Sequence, residues 1–318
     1  MAQFLPDLAF LRDGQIYIAL RGRGVGQPLG KPAGEFSFLN LLSARGQRRL
    51  FAADAQTLWE INPDSDDPPR QLLRVADDRL IIRLYHGSRP KQIFVLTAGA
   101  PGTPEFFQFD GWRINTADGA TEHVGYDGIL SGTALSQQVL TEGSTVKSPS
   151  GSLVLSKRRD GECEELFAGP VGEDPSKMTR LTDVHVILLP QSTRGQTAEE
   201  EHENELFGSE PAPETVSDLL AAGWSPIGDV VLFVTVEAAG DFAYGGLYVV
   251  APPLRGQQRI SDILVPDLPL EWTPAGNALA VGGMNRDGAP EAVIADPTTA
   301  NVIAAFASAS CPCWLPRA

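Results

Sequence analysis

Short apolar runs separated by polar turns recur along the chain, and three stretches share one order of apolar and polar segments. These stretches begin at Ser148, Trp224 and Trp272. Each has a proline near its start, then a short turn, an apolar run, a polar turn and a second apolar run. Apolar runs of about four to eight residues bounded by turn residues are typical of β-strands. The pattern therefore predicts a repeated unit built from β-hairpins.

The polar turn of the repeated unit carries the triplet Arg-Asp-Gly, which occurs at residues 12–14, 159–161 and 286–288. Asp-Gly between two apolar runs favours a tight hairpin, because glycine accepts a positive φ at little cost. Each turn offers one carboxylate, whereas calcium takes about six to eight oxygen ligands, so we expect no calcium there. We predict exposed hairpin turns at Asp13, Gly14, Asp160, Gly161, Asp287 and Gly288.

A second recurring triplet, Trp-x-Pro, marks the start of the repeated unit and also stands at the end of the chain. An indole ring buries a large apolar area, so we expect the tryptophans to pack between neighbouring sheets. A proline ends an inner strand without needing to donate a hydrogen bond. The residues with these expected structural roles are Trp224, Pro226, Trp272, Pro274, Trp314 and Pro316.

The two ends of the chain complement each other. The N-terminus has the hairpin of the unit without its Trp-x-Pro strand, and the C-terminus has that strand without a hairpin. Joining the ends places Asp13 15 positions after Pro316, and the intact units have proline-to-aspartate spacings of 11, 13 and 15. We predict that the C-terminal strand pairs into the N-terminal blade and closes a ring, which leaves few exposed strand edges.

The predicted fold class is all-β, a single β-propeller domain spanning residues 1–318 with six four-stranded blades. The stretch EFFQFDGW is taken as a strand of the third blade, and residues 128–146 fit a strand only loosely. Counts of five or seven blades stay open as alternatives. The blades are assigned to residues 4–31 with 309–318, 35–76, 80–126, 127–183, 184–263 and 264–308.

Three segments carry a resemblance to a known repeat. They are WSPIG at 224–228, LYVV at 247–250 and RLTD at 180–183. These segments resemble the opening, the second strand and the close of the WD40-like, or TolB-like, β-propeller repeats. The resemblance extends over residues 148–318 and 7–20. It implies a propeller, and it implies a scaffold or binding platform, because that is what this family mostly provides.

The charge of the chain limits its partners. The 318 residues include 40 Asp and Glu against 25 Lys and Arg, a formal net charge of −15. Such a chain repels phosphate backbones, so we expect no nucleic-acid partner. A strongly anionic surface favours a soluble protein, either a monomer or a subunit of a hetero-complex.

The N-terminal residues do not resemble a secretory signal, because MAQFLPDLAF lacks a basic segment and a sufficiently long apolar segment. No run of the sequence approaches the ~18 apolar residues that a membrane-spanning helix needs. We expect no membrane insertion and a cytoplasmic location. The location would be extracytoplasmic if a leader had been removed.

Residues 191–218 form an acidic insertion between two predicted blades, with Arg194 as its only basic residue. Its composition predicts a mobile, solvated loop. The alternative is a segment that binds a partner protein. Two apolar side chains would anchor the partner, and the carboxylates around them would attract a basic surface of that partner. A third alternative is a metal site built from Glu199, His202 and Glu203 on one helical face. The candidate partner-binding residues are Glu199, Glu200, Glu201, Glu203, Glu205, Leu206 and Phe207.

The sequence contains no Gly-x-Ser-x-Gly elbow, no phosphate-binding loop and no His-Glu-x-x-His pair. Cys311 and Cys313 are two residues apart, so their side chains would lie on the same face of a strand. Structural zinc takes four ligands, and Cys163 is the only other cysteine. Buried, inert thiols are therefore expected, with a strained disulfide, a reactive pair or a metal site as alternatives. We expect no cofactor and no catalytic residues.

These observations predict a non-catalytic soluble β-propeller that acts as a scaffold or protein-binding module. It would dock another protein through one propeller face and the acidic insertion. One alternative is a propeller enzyme, or a sensor of a small ligand or metal, that uses the central channel. Another is an extracytoplasmic TolB-like component of an envelope complex.

Overall fold

The computed structural model is all-β and forms the blades of a β-propeller. Its residues form two compact units, residues 1–138 with 267–318, and residues 139–266. The prediction of a single domain spanning the whole chain stays a prediction. The structure describes residues 5–30, 36–44, 46–89, 91–133, 143–161, 163–182, 216–226, 228–239, 242–250, 258–261, 265–266, 270–273, 275–285, 287–297, 299 and 301–316.

The described residues form six antiparallel sheets, as predicted, and four of them lie in the first unit. The first sheet has the order β25 (Ser310–Leu315), β1 (Asp7–Arg12), β2 (Gln15–Ala19), β3 (Gln27–Pro28). The second runs β4 (Asn40–Ser43), β5 (Leu50–Ala53), β6 (Thr57–Ile61), β7 (Arg70–Arg74). The third runs β8 (Arg79–His86), β9 (Gln92–Gly99), β10 (Asp110–Asn115), β11 (Thr121–His123). The sixth includes β21 (Glu271–Trp272), β22 (Leu279–Met284), β23 (Pro290–Asp296), β24 (Asn301–Ala307).

The second unit holds the other two sheets. The fourth sheet runs β12 (Thr145–Lys147), β13 (Leu153–Asp160), β14 (Cys163–Pro170), β15 (Thr179–Arg180). The fifth runs β16 (Val216–Trp224), β17 (Val231–Ala239), β18 (Phe242–Val250), β19 (Gln258–Ser261), and the short β20 (Val265–Pro266) follows it in the chain. Short 3-10 helices occur at Leu20–Gly22 and Pro175–Lys177.

The C-terminal strand β25 pairs antiparallel with β1 and completes the first sheet, as the matching of the chain ends predicts. Leu8 lies opposite Trp314, and Ala9 lies opposite Cys313. Beyond Ala9 a β-bulge shifts the register, so that Leu11 lies opposite Ser310. One edge strand of the N-terminal blade therefore comes from the last residues of the chain.

The core lies between the sheets of each unit. In the first unit, separate apolar clusters join the sixth sheet to the first, the first to the second, and the second to the third. In the second unit, a cluster around Leu155, Phe233 and Tyr248 joins the fourth and fifth sheets. Each blade thus buries its apolar side chains against its neighbour in the same unit, as stacked sheets in general must.

The hairpin between β1 and β2 shows how the Asp-Gly turns work. Arg12 pairs with Gln15, which leaves Asp13 and Gly14 as a two-residue loop. Their φ angles are +51° and +73°, the left-handed conformation that such a hairpin needs at both positions. Gly161 and Gly288 also have positive φ angles, +69° and +71°. The turn predicted at Asp160 is wrong for that residue, because Asp160 ends β13 opposite Cys163 and the turn begins at Gly161.

A short helix, α1 (Gly125–Gly132), follows β11 and packs against β9 and β10. The loose strand proposed for residues 128–146 is therefore wrong at its start, and β12 begins only at Thr145. Glycines permit the close packing of α1: a side chain at Gly111 would come within 2.4 Å of the Gly125 carbonyl. The fully buried Ile129 fixes the helix to the sheet.

Candidate functional site

The loop between β9 and β10 and the helix α1 expose a group of large apolar side chains. We call Phe106, Phe107, Phe109, Tyr126 and Leu130 the aromatic patch. Phe107 is 80% exposed, and Phe109 and Tyr126 are 46% and 41% exposed. Large apolar side chains that are exposed together, rather than scattered singly, mark an interaction site in soluble proteins.

Ring contacts join the loop half of the patch to the helix half. The centroids of Phe106 and Phe107 lie 5.0 Å apart in an edge-to-face arrangement. Phe109 contacts Tyr126 of α1 with a centroid distance of 5.6 Å. Leu130 follows Tyr126 by four residues, so both side chains lie on one face of the helix. The five exposed side chains therefore include two ring pairs, Phe106 with Phe107 and Phe109 with Tyr126, that lie close together along the chain.

Hydrogen bonds hold the loop under the patch in a compact form. The N–H of Phe106 donates to the Thr103 carbonyl over 3.1 Å, and that of Gln108 donates to Glu105 over 2.8 Å. The Arg79 guanidinium donates to the Gln108 carbonyl over 2.9 Å. The backbone returns so close to Gly99 that a side chain there would lie 2.3 Å from Glu105. The loop thus presents the rings in a defined arrangement.

Carboxylates flank the patch. Glu105 and Asp127 are exposed, and each adjoins a ring of the patch in the sequence. Burial of Asp110 opposes its ionisation, but hydrogen bonds from His123 and from the Gly111 N–H outweigh this, so the pKa of Asp110 is lowered. A lowered pKa keeps this carboxylate charged at neutral and mildly acidic pH.

A small cavity on the strands of the first unit is a second candidate site. Its lining includes Asn40, Arg83, Glu271 and Cys311. Nearby, the imidazole Nε2 of the buried His86 lies 3.4 Å from a carboxylate oxygen of Glu271. The cavity volume is about 30 Å³, which is enough for about two water molecules at ~15 Å³ each. Its size suits bound water rather than an organic ligand.

The cysteines of the closing strand lie beside this cavity. Cys311 has a φ of +49° at the bulge, and its sulfur lies 3.8 Å from the Leu39 carbonyl oxygen. Cys313 is buried, and burial raises the pKa of its thiol well above the ordinary value, with Glu271 and Cys311 acting in the same direction. A raised pKa keeps the thiol neutral and weakly nucleophilic. Both are free thiols in the structure, as is Cys163.

Two of the three tryptophans singled out in the sequence link neighbouring sheets. The indole N–H of Trp314 in the first sheet donates to the Glu271 carbonyl of the sixth over 3.0 Å. That of Trp224 in the fifth sheet donates to the Val146 carbonyl of the fourth over 2.9 Å. Trp272 is half-buried at the end of β21. Pro226 and Pro316 follow their strands, and Pro274 lies outside the described residues.

The candidate partner-binding residues of the acidic insertion all lie outside the described residues, so that hypothesis stays a prediction. The aromatic patch was missed because EFFQFDGW was interpreted as a strand, whereas β10 begins only at Asp110. A signal was present: the stretch PGTP precedes the phenylalanines, and clustered proline and glycine favour a loop.

In the part of the chain that the structure describes, no group of three or more His, Cys, Asp or Glu side chains could hold a metal ion. None of the helices among the described residues is long and apolar enough to cross a membrane.

The chain is broadly similar to many solved structures, among them the following three. TolB from Acinetobacter baumannii aligns at 9% identity and a TM-score of 0.46, over 99% of this chain and 67% of TolB. A chain of a nidogen/laminin complex aligns at 9% identity and 0.46, over 98% and 99%. A functionally unknown protein from Desulfotomaculum acetoxidans aligns at 9% identity and 0.46, over 98% and 100%. No family model matches the sequence, and no curated protein matches it.

Proposed function

We propose that this protein is a non-catalytic scaffold that binds another protein through the aromatic patch. The exposure of five large apolar side chains on one loop and the helix that it contacts supports the proposal. Exposed aromatic rings are unfavourable in water, and they dominate the energetics of protein interfaces once a partner covers them. The acidic insertion is proposed as a second contact with the same partner.

The rigidity of the loop adds to this support. Side chains that are already fixed lose little conformational entropy when a partner binds, so more of the interaction energy appears as affinity. The hydrogen bonds of Phe106 and Gln108 and the contact of Phe109 with Tyr126 fix the loop before binding. The rings of Phe107 and Tyr126 are therefore expected to contribute most of the binding energy.

The test compares two double variants. The patch variant carries Phe107→Ser and Tyr126→Ser, and the control variant carries Val302→Ser and Ile303→Ser in β24, where both side chains are also exposed. The patch variant is expected to capture at least tenfold less partner from a native lysate, because two lost anchors cost about 2 kcal/mol or more. Quantitative mass spectrometry of the captured proteins measures this.

The control variant should capture the partner as the unchanged protein does. Both variants should keep the melting temperature within about 2 °C, because exposed side chains contribute little to stability. Equal capture by the two variants would reject the patch as the binding surface.

The acidic insertion is tested by deleting residues 191–215, because residues 216–218 belong to β16 and pair with β17. We expect the deletion to leave the thermal transition nearly unchanged and to weaken capture of the same partner about threefold, as lost rim charges do. A deletion that unfolds the protein would show that the insertion is structural, and unchanged capture would remove it from the interface.

A further inference from the structure

Exposed carboxylates stand at the border of the aromatic patch, which limits the chemistry of its partner. Glu105 directly precedes Phe106, and Asp127 directly follows Tyr126, so each half of the patch has an exposed carboxylate at its border. Asp110 follows Phe109 and stays ionised because its pKa is lowered. Three carboxylates thus lie next to the rings that a partner would cover.

Two cations close to the patch contact groups of the protein itself. The Arg79 guanidinium donates to the Gln108 carbonyl, and the His123 imidazole lies 2.7 Å from the Asp110 carboxylate. Among the described residues, no Lys, Arg or His forms an ion pair with Glu105 or Asp127. Arg79 and His123 lie close to Asp110, so the acidic part of the border consists of Glu105 and Asp127.

A partner that covers the rings also removes water from these carboxylates. Removing water from a carboxylate without supplying a cation is unfavourable, so a neutral or acidic partner would bind weakly. An anionic membrane surface would be repelled both by the border and by the net charge of −15. The favoured occupant supplies apolar side chains for the rings and cations for the border.

Resting on the proposed function, we infer that the aromatic patch binds a basic, apolar segment of another protein. In such a segment, large apolar side chains lie over Phe107 and Tyr126, and lysines or arginines lie over Glu105 and Asp127. The carboxylates provide the selectivity for the partner, and the rings provide most of the affinity.

The experiment selects peptides from a random-sequence display library on the unchanged protein and on the patch variant. Peptides enriched only on the unchanged protein are expected to combine aromatic or aliphatic residues with a net positive charge. Two further variants are then tested with the selected peptides. The border variant carries Glu105→Gln and Asp127→Asn, and its control carries Asp66→Asn and Asp287→Asn, which removes two exposed carboxylates elsewhere.

The border variant is expected to bind the selected peptides about fivefold more weakly, and its control within about twofold of the unchanged protein, since exposed charge pairs contribute modestly.

Patch-dependent peptides that are neutral or acidic would overturn this inference while leaving the proposed function standing. Equal weakening by both charge variants would also overturn it, because net charge would then explain the preference. Patch-dependent binding to phosphatidylserine vesicles would replace the protein partner with a membrane. Capture from the lysate independently tests the proposed function.

Discussion

A chain that lacks residues 311–318 is expected to lose the cooperative thermal transition of the first compact unit. These residues include most of β25, an edge strand of the first sheet. Cys313, Trp314 and Leu315 are buried, and exposing three such side chains costs about 6 kcal/mol at about 2 kcal/mol each. That amount is comparable to the entire stability of a typical domain, about 5–15 kcal/mol.

The truncation has a second effect beyond lost burial. It exposes the edge of β1, whose backbone groups pair with β25 in the intact sheet, and an exposed edge favours aggregation. Circular dichroism during heating, together with light scattering, measures both effects. A truncated chain that melts within about 2 °C of the full chain would contradict the closure of the first sheet.

A graded control comes from Trp314→Phe, which keeps an aromatic ring and removes the indole N–H. That N–H donates to the Glu271 carbonyl of the neighbouring sheet. The substitution is expected to destabilise the protein by about 1–2 kcal/mol, far less than the truncation, because it removes one hydrogen bond.

The second large effect is expected from Arg180→Met, with a loss of about 3 kcal/mol in the free energy of unfolding. Arg180 donates over 2.9 Å to the carboxylate of Glu165, which is fully buried in β14. Thr182 also donates to Glu165, and its hydroxyl accepts from the Leu166 N–H. Arg180→Met removes the cation that lies 2.9 Å from this buried carboxylate, and losing one partner of a buried ion pair is strongly destabilising.

Urea denaturation of two further variants isolates this cause. The double variant Arg180→Met with Glu165→Met should recover most of the loss, because it buries no unpaired charge. Arg113→Met removes the cation of an exposed pair with Glu122 and should cost less than about 1 kcal/mol. Equal losses for Arg180→Met and Arg113→Met would show that the buried carboxylate is not the reason.

The six sheets and their closure could be predicted because the signals are local and repeated. Asp13 and Gly14 both have the positive φ angles of a two-residue hairpin turn, and the Trp-x-Pro triplet recurs at a constant place in the unit. The RLTD segment at 180–183 also has a physical basis, since Arg180 and Thr182 both bind the buried Glu165. Such rules act over few residues and can be inferred from the sequence.

The aromatic patch depends on tertiary structure and could not be predicted in the same way. The apolar stretch at 105–109 satisfies a strand pattern, and only the folded loop shows that its rings face solvent. The helix α1 contains three glycines within eight residues, a composition unfavourable to helices. It forms because Ile129 packs into the sheet and Gly111 leaves room for it. Neither contact can be predicted from the neighbouring residues in the sequence.

The most direct measurement of the central claim is the affinity of the captured partner, once purified, for the unchanged protein, the patch variant and the control variant. Isothermal titration calorimetry should give a dissociation constant at least about tenfold higher for the patch variant and an unchanged one for Val302→Ser with Ile303→Ser. Equal dissociation constants for all three proteins would contradict the account, because the exposed rings of Phe107 and Tyr126 would then contribute nothing to binding.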